Sequence, residues 1–311
     1  MNFIGIDIGG TAIKAVTLGL DGTLEHSEEH PYSGTAEEMM SQVAGLAESM
    51  RGPETQAIGV GIAGLVRWPD GVFVWGPHVR GENLAVRDRL EREVGLPILV
   101  DNDANCAALA ELTMGAAAGA SNAVVMTLGT GIGAGIIADG AVYRGGSFAG
   151  EVGHMTMIPE GDVCACGRRG CWETLVSGRR FGAEARRIVQ ADPKGALSRI
   201  VADNEPSGSH LGVAAAAGDQ AAWDAVVEAG VWLGRGIANL AAILDPELVV
   251  VGGAAVAVGD VLLAAARAEF VRFVEGADHR RLLRIEAARC GPRAGAIGAA
   301  LLARQAGEAD K

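Results

Sequence analysis

Short runs rich in Val and Ile alternate along the chain with stretches whose apolar residues recur at helical spacing, the pattern of an α/β protein. Residues 3–8 (FIGIDI) and 13–18 (IKAVTL) read as strands joined by a Gly-Gly-Thr turn, and Asp21-Gly22 reads as a hairpin turn after them. Thr35, with Glu38 three residues on, forms a capping box that opens a helix running to about Arg51. Residues 57–62 (AIGVGI) and 97–100 (PILV) read as further strands, and a helix starts at Asp103 and continues through Ala107, Leu109 and Leu112.

A second block begins near Ser121. Residues 123–128 (AVVMTL) predict a strand, Gly129-Thr130-Gly131-Ile132-Gly133 a turn, and 134–138 (AGIIA) a second strand. This repeats the order of the opening block, strand, Gly/Thr turn, strand, and fits a duplicated fold with two phosphate-type loops. Asp219 caps a long helix that reaches Leu244 and is ended by Pro246. Residues 247–251 (ELVVV) form a buried strand leading to Gly252-Gly253, and a last helix begins near Gly295. Two domains are expected. A smaller one spans 1–117 and is joined by the C-terminal helix at about 298–311. A larger one spans 118–297.

Composition narrows the function. The net charge of −12 disfavours nucleic-acid partners, which select clusters of Lys and Arg. The longest stretch without charge, Gly115–Ala138, is broken by Gly, Ser, Asn and Thr and alternates like strands, so no membrane span is expected. The N-terminus carries no basic segment followed by an apolar one, the mark of a signal peptide. Cys106, Cys164, Cys166, Cys171 and Cys290 are odd in number and clustered, which argues against a disulfide framework and for a reducing cytoplasm. Aromatic residues make up only 4%, so the cores are built from Ala, Val, Ile and Leu.

Four segments carry candidate chemistry. In Asp7-Ile8-Gly9-Gly10-Thr11-Ala12-Ile13-Lys14, two glycines free backbone N–H groups to face a phosphate, Thr11 adds a hydroxyl, and Asp7 could hold Mg²⁺ through water. Leu128-Gly129-Thr130-Gly131-Ile132-Gly133 is a second such cradle. Asp101-Asn102-Asp103-Ala104-Asn105 sits between a buried strand and a helix, where α/β proteins bind ligands. There an Asp can take the proton of an attacking hydroxyl and Asn102 can fix a sugar hydroxyl, while capping by Asp103 or Asn105 accounts for one residue of the group.

The fourth segment is the most specific. His154 is followed after nine residues by Cys164-Ala165-Cys166 and after four more by Cys171. Three thiols and an imidazole make a complete tetrahedral set for Zn²⁺, with no open position, so the metal would be structural. Glu151 and Glu173 flank this loop and would hold carboxylates where a sugar's hydroxyls could donate to them.

Together these segments resemble the ROK family, and within it the bacterial ATP-dependent glucokinases. The resemblance runs through DIGGTAIK at 7–14, GVGIAGLV at 59–66, GLPILVDNDANCAALAE at 95–111, LGTGIGAGII at 128–137, GEVGHMTMIPEGDVCACGRRGCWE at 150–173, GRGIANLAAILDPELVVVGG at 234–253 and GAIGAALLA at 295–303. It implies an actin-like ATPase fold of the ribonuclease-H type, duplicated and two-lobed, with ATP and sugar meeting in an interlobe cleft. It implies Asp103 as general base, and Gly64, Asn102, Asp103, Glu151, His154 and Glu173 as sugar binders, His154 serving zinc with one ring nitrogen and sugar with the other. Asp7, Gly9, Gly10, Thr11 and Lys14 resemble the first phosphate site, Gly129, Thr130, Gly131 and Gly133 the second, and Gly252 and Gly253 the adenosine-side turn. ATP, Mg²⁺ and Zn²⁺ are the implied cofactors. Because ROK relatives are often dimers or tetramers, a homodimer or homotetramer is implied too.

The chain departs from the glucokinase pattern at Gly76-Pro77-His78-Val79-Arg80-Gly81-Glu82-Asn83. His78 stands at the position of a usual Asn, and the usual Trp is absent or displaced. The resemblance makes glucose the favoured substrate, and this departure keeps mannose, N-acetylmannosamine, N-acetylglucosamine or a C7-cyclitol as alternatives. A sugar-sensing repressor of the same family would need a helix-turn-helix domain ahead of Asp7, where six residues stand. A polyphosphate-dependent enzyme fits poorly with the cysteine cluster and the acidic surface.

Overall fold

The computed structural model describes residues 1–32, 34–253 and 258–309; residues 310 and 311, at the end of the expected C-terminal helix, lie outside the described residues. The chain divides into two compact units. The first comprises Met1–Ser121, Ala134–Gly150 and Cys290–Lys311, and the second Asn122–Gly133 and Glu151–Arg289.

In chain order the elements begin with β1 (Asn2–Ile8), β2 (Ala12–Gly19), β3 (Leu24–Pro31), α1 (Ala36–Met50), β4 (Thr55–Ile62), β5 (Leu65–Arg67), β6 (Val72–Trp75), β7 (Leu84–Ala85), α2 (Val86–Val94), β8 (Ile98–Asn102) and α3 (Asp103–Met114). Next come β9 (Ala123–Leu128), β10 (Ile132–Ala138), β11 (Ala141–Tyr143), α4 (Gly178–Ala191), α5 (Ala196–Val201), α6 (Gly208–Ala216) and α7 (Gln220–Leu244). The chain closes with β12 (Leu248–Gly252), α8 (Asp260–Phe273), β13 (Arg284–Ala287) and α9 (Ala294–Ala309).

Two five-stranded sheets repeat one plan, in the orders β3-β2-β1-β4-β8 and β11-β10-β9-β12-β13. In the first, β1, β2 and β3 pair antiparallel and β1, β4 and β8 parallel. In the second, β9, β12 and β13 are parallel and β10 pairs antiparallel with β11. The echo between the two strand–turn–strand segments is thus a repeat of whole sheets.

The parallel strands are apolar along their length because both faces are covered. On one face Ile4, Ile6, Ile58 and Val60 pack with Met39 and Val43 of α1 and Leu90 of α2. On the other, Phe3 and Ala57 pack with Ala296, Ala300 and Leu301 of α9 and Cys106 of α3. Helix α9 lies directly on β1 and β4: a Cβ on Gly5 or Gly59 would collide with the α9 backbone at Ala296 or Ala299. Only glycine permits that approach.

The local signals behave as their chemistry dictates. Thr35 and Glu38 make both bonds of the capping box on α1. The Asp219 side chain caps α7, which ends at Asp245 in the left-handed region just before Pro246. Strand β3, LEHSEEHP, shows no apolar alternation because it is an exposed edge strand held by its backbone pairing to β2. Helix α7 is, among the described residues, the one long and apolar enough to cross a membrane, but it is a core helix with Val226, Leu233, Ile237 and Leu240 buried against its neighbours.

Candidate active site and metal cluster

In the first unit, the parallel register sets Ile8, Ile62 and Asn102 in one row across β1, β4 and β8. The residues just beyond those strand ends, Gly9–Thr11, Gly64 and Asp103, therefore leave the sheet along a single edge. Asp7, one residue earlier, pairs with Lys14 across the β1–β2 hairpin, and the Gly9 N–H donates to the Ala12 carbonyl to close the turn. Lys14 Nζ donates to the Pro292 carbonyl at 3.0 Å, just ahead of α9. Gly10 lies against His78, where an added Cβ would come within 2.9 Å of the His78 Cβ.

Asn102 is the N-cap of α3. Its Oδ1 accepts from the N–H groups of Ala104 (2.8 Å) and Asn105 (3.1 Å), and its Nδ2 donates to the Gly64 carbonyl at 3.0 Å. The capping role thus belongs to Asn102 rather than to Asp103 or Asn105, leaving one Nδ2 hydrogen of Asn102 uncommitted by these contacts. Asp103 is the first residue of the helix, free of the cap. Burial pushes its carboxyl up to about 6, against the pull of backbone N–H donation from Ala104 and Asp103 itself, with the Asp101 charge adding to the rise. Asp7 is pushed up to about 7 by burial and by the charge of Asp103, with Lys14 opposing. Two carboxyls of raised proton affinity at a glycine-lined strand edge, Asp7 raised in part by Asp103, suit a cation and a proton acceptor.

Behind this edge lies a polar network that the motif reading did not assign. Asp101 is 1% exposed. Its Oδ1 accepts from the Asn102 N–H at 2.7 Å and the Asn105 Nδ2 at 3.0 Å, and its Oδ2 accepts from Arg144 Nε at 2.7 Å. The Arg144 guanidinium stacks over the Trp68 ring, 4.1 Å from its centroid. The Ser147 hydroxyl ties the same turn to the Trp68 backbone. The only sequence signal was a lone Arg soon after a long uncharged stretch, which cannot reveal that a carboxylate faces it.

In the second unit, Leu128 at the end of β9 leads into Gly129-Thr130-Gly131. The Gly129 N–H donates to the Gly131 carbonyl, and the Gly129 carbonyl accepts from Gly178 N–H at the start of α4. Gly252 pairs with Thr127, and Gly253 (φ 87°) packs on the Leu128 backbone so closely that a Cβ would come within 2.6 Å of its carbonyl oxygen. The second phosphate-type loop and the Gly252-Gly253 turn are thus neighbours. Gly133 follows Ile132 within β10.

Glu173 is buried, at 8% exposure, and is bound into this loop. Its Oε2 accepts from the Ile132 N–H at 3.1 Å, and its Oε1 accepts from the Cys164 thiol at 3.4 Å. Gly131 lets the carboxylate in, since a Cβ there would collide with Glu173 Oε2. Glu173 therefore links the glycine loop to the cysteine cluster.

His154, Cys164, Cys166 and Cys171 bring their donor atoms within 4.8 Å of one another. Cys166 Sγ and Cys171 Sγ are 3.7 Å apart, and Cys164 Sγ is 3.6 Å from His154 Nδ1. Tetrahedral Zn²⁺ with ordinary bond lengths spaces two thiolates about 3.8 Å apart, and a thiolate and an imidazole nitrogen about 3.6 Å. The donor set fits that ion in kind, number and spacing. The other ring nitrogen, His154 Nε2, lies 3.8 Å from Glu151 Oε2. Burial pushes the Cys164 and Cys171 thiols up. Burial also raises Cys166, but N–H donation from Arg168 and hydrogen bonds with the two neighbouring thiols outweigh it, and this thiol lies below its usual value.

The segment Trp75–Glu82, which contains the departure at His78, lines a cavity of about 510 Å³ in the first unit. Of the site residues read from sequence, Asp7, Gly9, Gly10, Thr11, Lys14, Gly64, Asn102 and Asp103 belong to the first unit. Gly129, Thr130, Gly131, Gly133, Glu151, His154, Glu173, the three clustered cysteines, Gly252 and Gly253 belong to the second.

The repeated sheets, each with a glycine turn after its first strand, define an actin-like ATPase fold. The chain belongs to the ROK family, which it matches over residues 3–306. It is 37% identical over 308 residues to a glucokinase of Streptomyces coelicolor, covering 97% of each chain. It is 33% identical over 311 residues to an N-acetylmannosamine kinase of Escherichia fergusonii, covering 98% of this chain and 99% of that one. Among solved structures, a ROK family glucokinase from Streptomyces griseus in complex with glucose and AMPPNP superimposes with a TM-score of 0.91 at 34% identity, covering 98% of this chain and all of that one.

Proposed function

We propose that this protein is an ATP-dependent sugar kinase that phosphorylates a sugar hydroxyl, with glucose to glucose 6-phosphate the favoured reaction. The observation that carries the reading is Asp103, a half-buried carboxyl at the sheet edge, first residue of α3, whose proton affinity is raised to about 6. Such a group is ionised at neutral pH yet basic enough to accept a hydroxyl proton. Glucokinase and sugar kinase relatives that match nearly the whole chain support it.

Phosphoryl transfer passes through a loose transition state, so alignment and charge neutralisation carry most of the catalysis. Asp103 orients the sugar hydroxyl and takes its proton as the bond to phosphorus forms and the bond to the leaving ADP oxygen breaks. The Gly9-Gly10-Thr11 turn with Lys14, and the Gly129-Thr130-Gly131 loop with Gly133, offer N–H and side-chain donors to phosphate oxygens. Gly252 and Gly253 leave room on the adenosine side. Gly64, Asn102, Glu151, His154 and Glu173 are the proposed sugar-side groups. Asn102 acts there mainly by shaping the pocket, because its amide oxygen and one of its Nδ2 hydrogens are already used, whereas Glu173 keeps acceptor capacity beyond its bonds to Ile132 and Cys164. Asp7 would hold Mg²⁺, which would supply positive charge to neutralise phosphate oxygens. His154, Cys164, Cys166 and Cys171 would hold one structural Zn²⁺. An enzyme that draws on ATP is proposed to work in the cytoplasm, and a homodimer or homotetramer is the proposed assembly.

A second reading, phosphorylation of a different sugar or sugar-like ring, is favoured by the packing of His78 on Gly10 beside the Trp75–Glu82 cavity. The test is ADP release with ATP and Mg²⁺ across glucose, mannose, N-acetylmannosamine, N-acetylglucosamine, fructose and a C7-cyclitol. Selective turnover on glucose supports the first reading. Silence on glucose with turnover elsewhere gives the pocket to the second, and silence on all of them sinks the kinase assignment.

A further inference from the structure

Asp101 and Arg144 form a largely buried ion pair in the first unit, and neither has a part in the proposed chemistry. Three of the acceptor positions on Asp101 are filled, by the Asn102 N–H, the Asn105 amide and Arg144 Nε, at 2.7, 3.0 and 2.7 Å. The Asn102 N–H and the Asn105 side chain lie on either side of Asp103. The pair therefore grips the strand end before the proposed base and the first helical turn after it. Arg144 is itself fixed from two further directions. Its Nη1 donates to the Val142 carbonyl at 3.2 Å, and its plane lies on the Trp68 ring. Its side chain is 19% exposed and that of Asp101 2%.

A buried pair of this kind adds little net stability over an apolar replacement, since desolvation offsets much of its attraction. What it does provide is direction: a planar guanidinium, stacked and bonded, admits one position of the carboxylate it holds. A near-attack geometry at a phosphoryl-transfer base is sensitive to displacements of an ångström or less.

Building on the kinase reading, we propose that Asp101 and Arg144 are positioning residues that lock the Asn102-Asp103 junction in the register needed for transfer. Trp68 acts as the platform that keeps Arg144 in plane.

The test compares wild type with Arg144→Met, Arg144→Lys and Trp68→Leu by steady-state kinetics on the best sugar of the panel and by amide hydrogen exchange. Arg144→Met should lower kcat about 100-fold while KM for ATP moves less than about twofold, because the phosphate loops are untouched. Arg144→Lys keeps the charge without the planar stack and should recover part of that loss. Exchange at the amides of Asn102, Ala104 and Asn105 should quicken in Arg144→Met, with the α1 amides unchanged. If Arg144→Met does not fold, Arg144→Lys and Trp68→Leu carry the test, each expected to lower kcat more than it raises either KM. A folded variant with wild-type kcat, or a loss confined to KM for ATP, overturns the proposal. Should wild type phosphorylate no sugar, the kinase reading falls, and exchange still decides the lock: unchanged protection at 102–105 refutes it, and selective loss there supports it.

Discussion

Asp103 and Asp7 are half-buried carboxyls whose proton affinity the fold raises, to about 6 and about 7. The proposed base works only when ionised, so turnover should fall as pH drops through about 6, and the acid limb of a kcat profile measures this. Stability moves the other way. Each folded-state value lies above the unfolded one, so these two groups bind more protons in the native state between about pH 4 and 7, and the stability they contribute declines as pH rises through that window. Asp103→Asn should therefore lower kcat by about 1,000-fold, shift KM for sugar little, and raise Tm at pH 8 by about 2–4 °C. Kinetics and thermal melting on one preparation test both signs, and a variant that loses activity and stability together would show that Asp103 is structural.

Local elements owe their stability to features of different range. Helix α1 is fixed by its own capping box, in which Thr35 and Glu38 satisfy each other's backbone donors. Thr35→Ala should cost about 1 kcal/mol in denaturant unfolding and leave kcat unchanged. The loop from His154 to Cys171 has no comparable local support: its described regular structure is short 3-10 turns and isolated bridges. Backbone bonds such as Gly170 N–H to the Asp162 carbonyl and Cys164 N–H to the Arg168 carbonyl hold it, and the proposed Zn²⁺ would add to them. Purified protein should contain about one zinc per chain, and Cys166→Ser should lose the metal and lower Tm by more than about 5 °C. Since Glu173 bonds both Cys164 and the Ile132 N–H, that variant should also raise KM for ATP through the Gly129–Gly133 loop. Zinc content measured beside KM for ATP checks the link, and zinc loss with unchanged KM would break it.

At the scale of the whole molecule the acidic charge, −12, is the property that matters most for partners. It repels polyanions, so no sequence-specific DNA shift should be seen at physiological salt, even though the family includes repressors. A gel-shift assay with genomic fragments tests this, and a tight specific complex would reopen the repressor reading. The repeated sheet order is the other whole-molecule property. It gives each half its own glycine turn beyond a first strand, at Gly9-Gly10 and at Gly129–Gly131, so the two proposed phosphate loops follow from one topology used twice.

The amino-acid sequence alone determined the features that depend on near neighbours in the chain. These are the apolar runs of β1, β4, β9 and β12, the caps at Thr35 and Asp219, the Gly turns, and the His154–Cys171 donor set. Turn chemistry, capping and ligand spacing act over a few residues, so they are written in order. Strand β3 was illegible because edge strands need no apolar face, and the β5–β7 sheet because its strands are too short for a period to show. Only the tertiary structure decided which polar groups meet. Asn102 is the helix cap and binds Gly64, Glu173 is turned into the glycine loop, and Asp101 is held by Arg144 from 43 residues away. Such pairings depend on which strand ends the register brings side by side, and register is set by packing on both faces of the sheet rather than by any local signal.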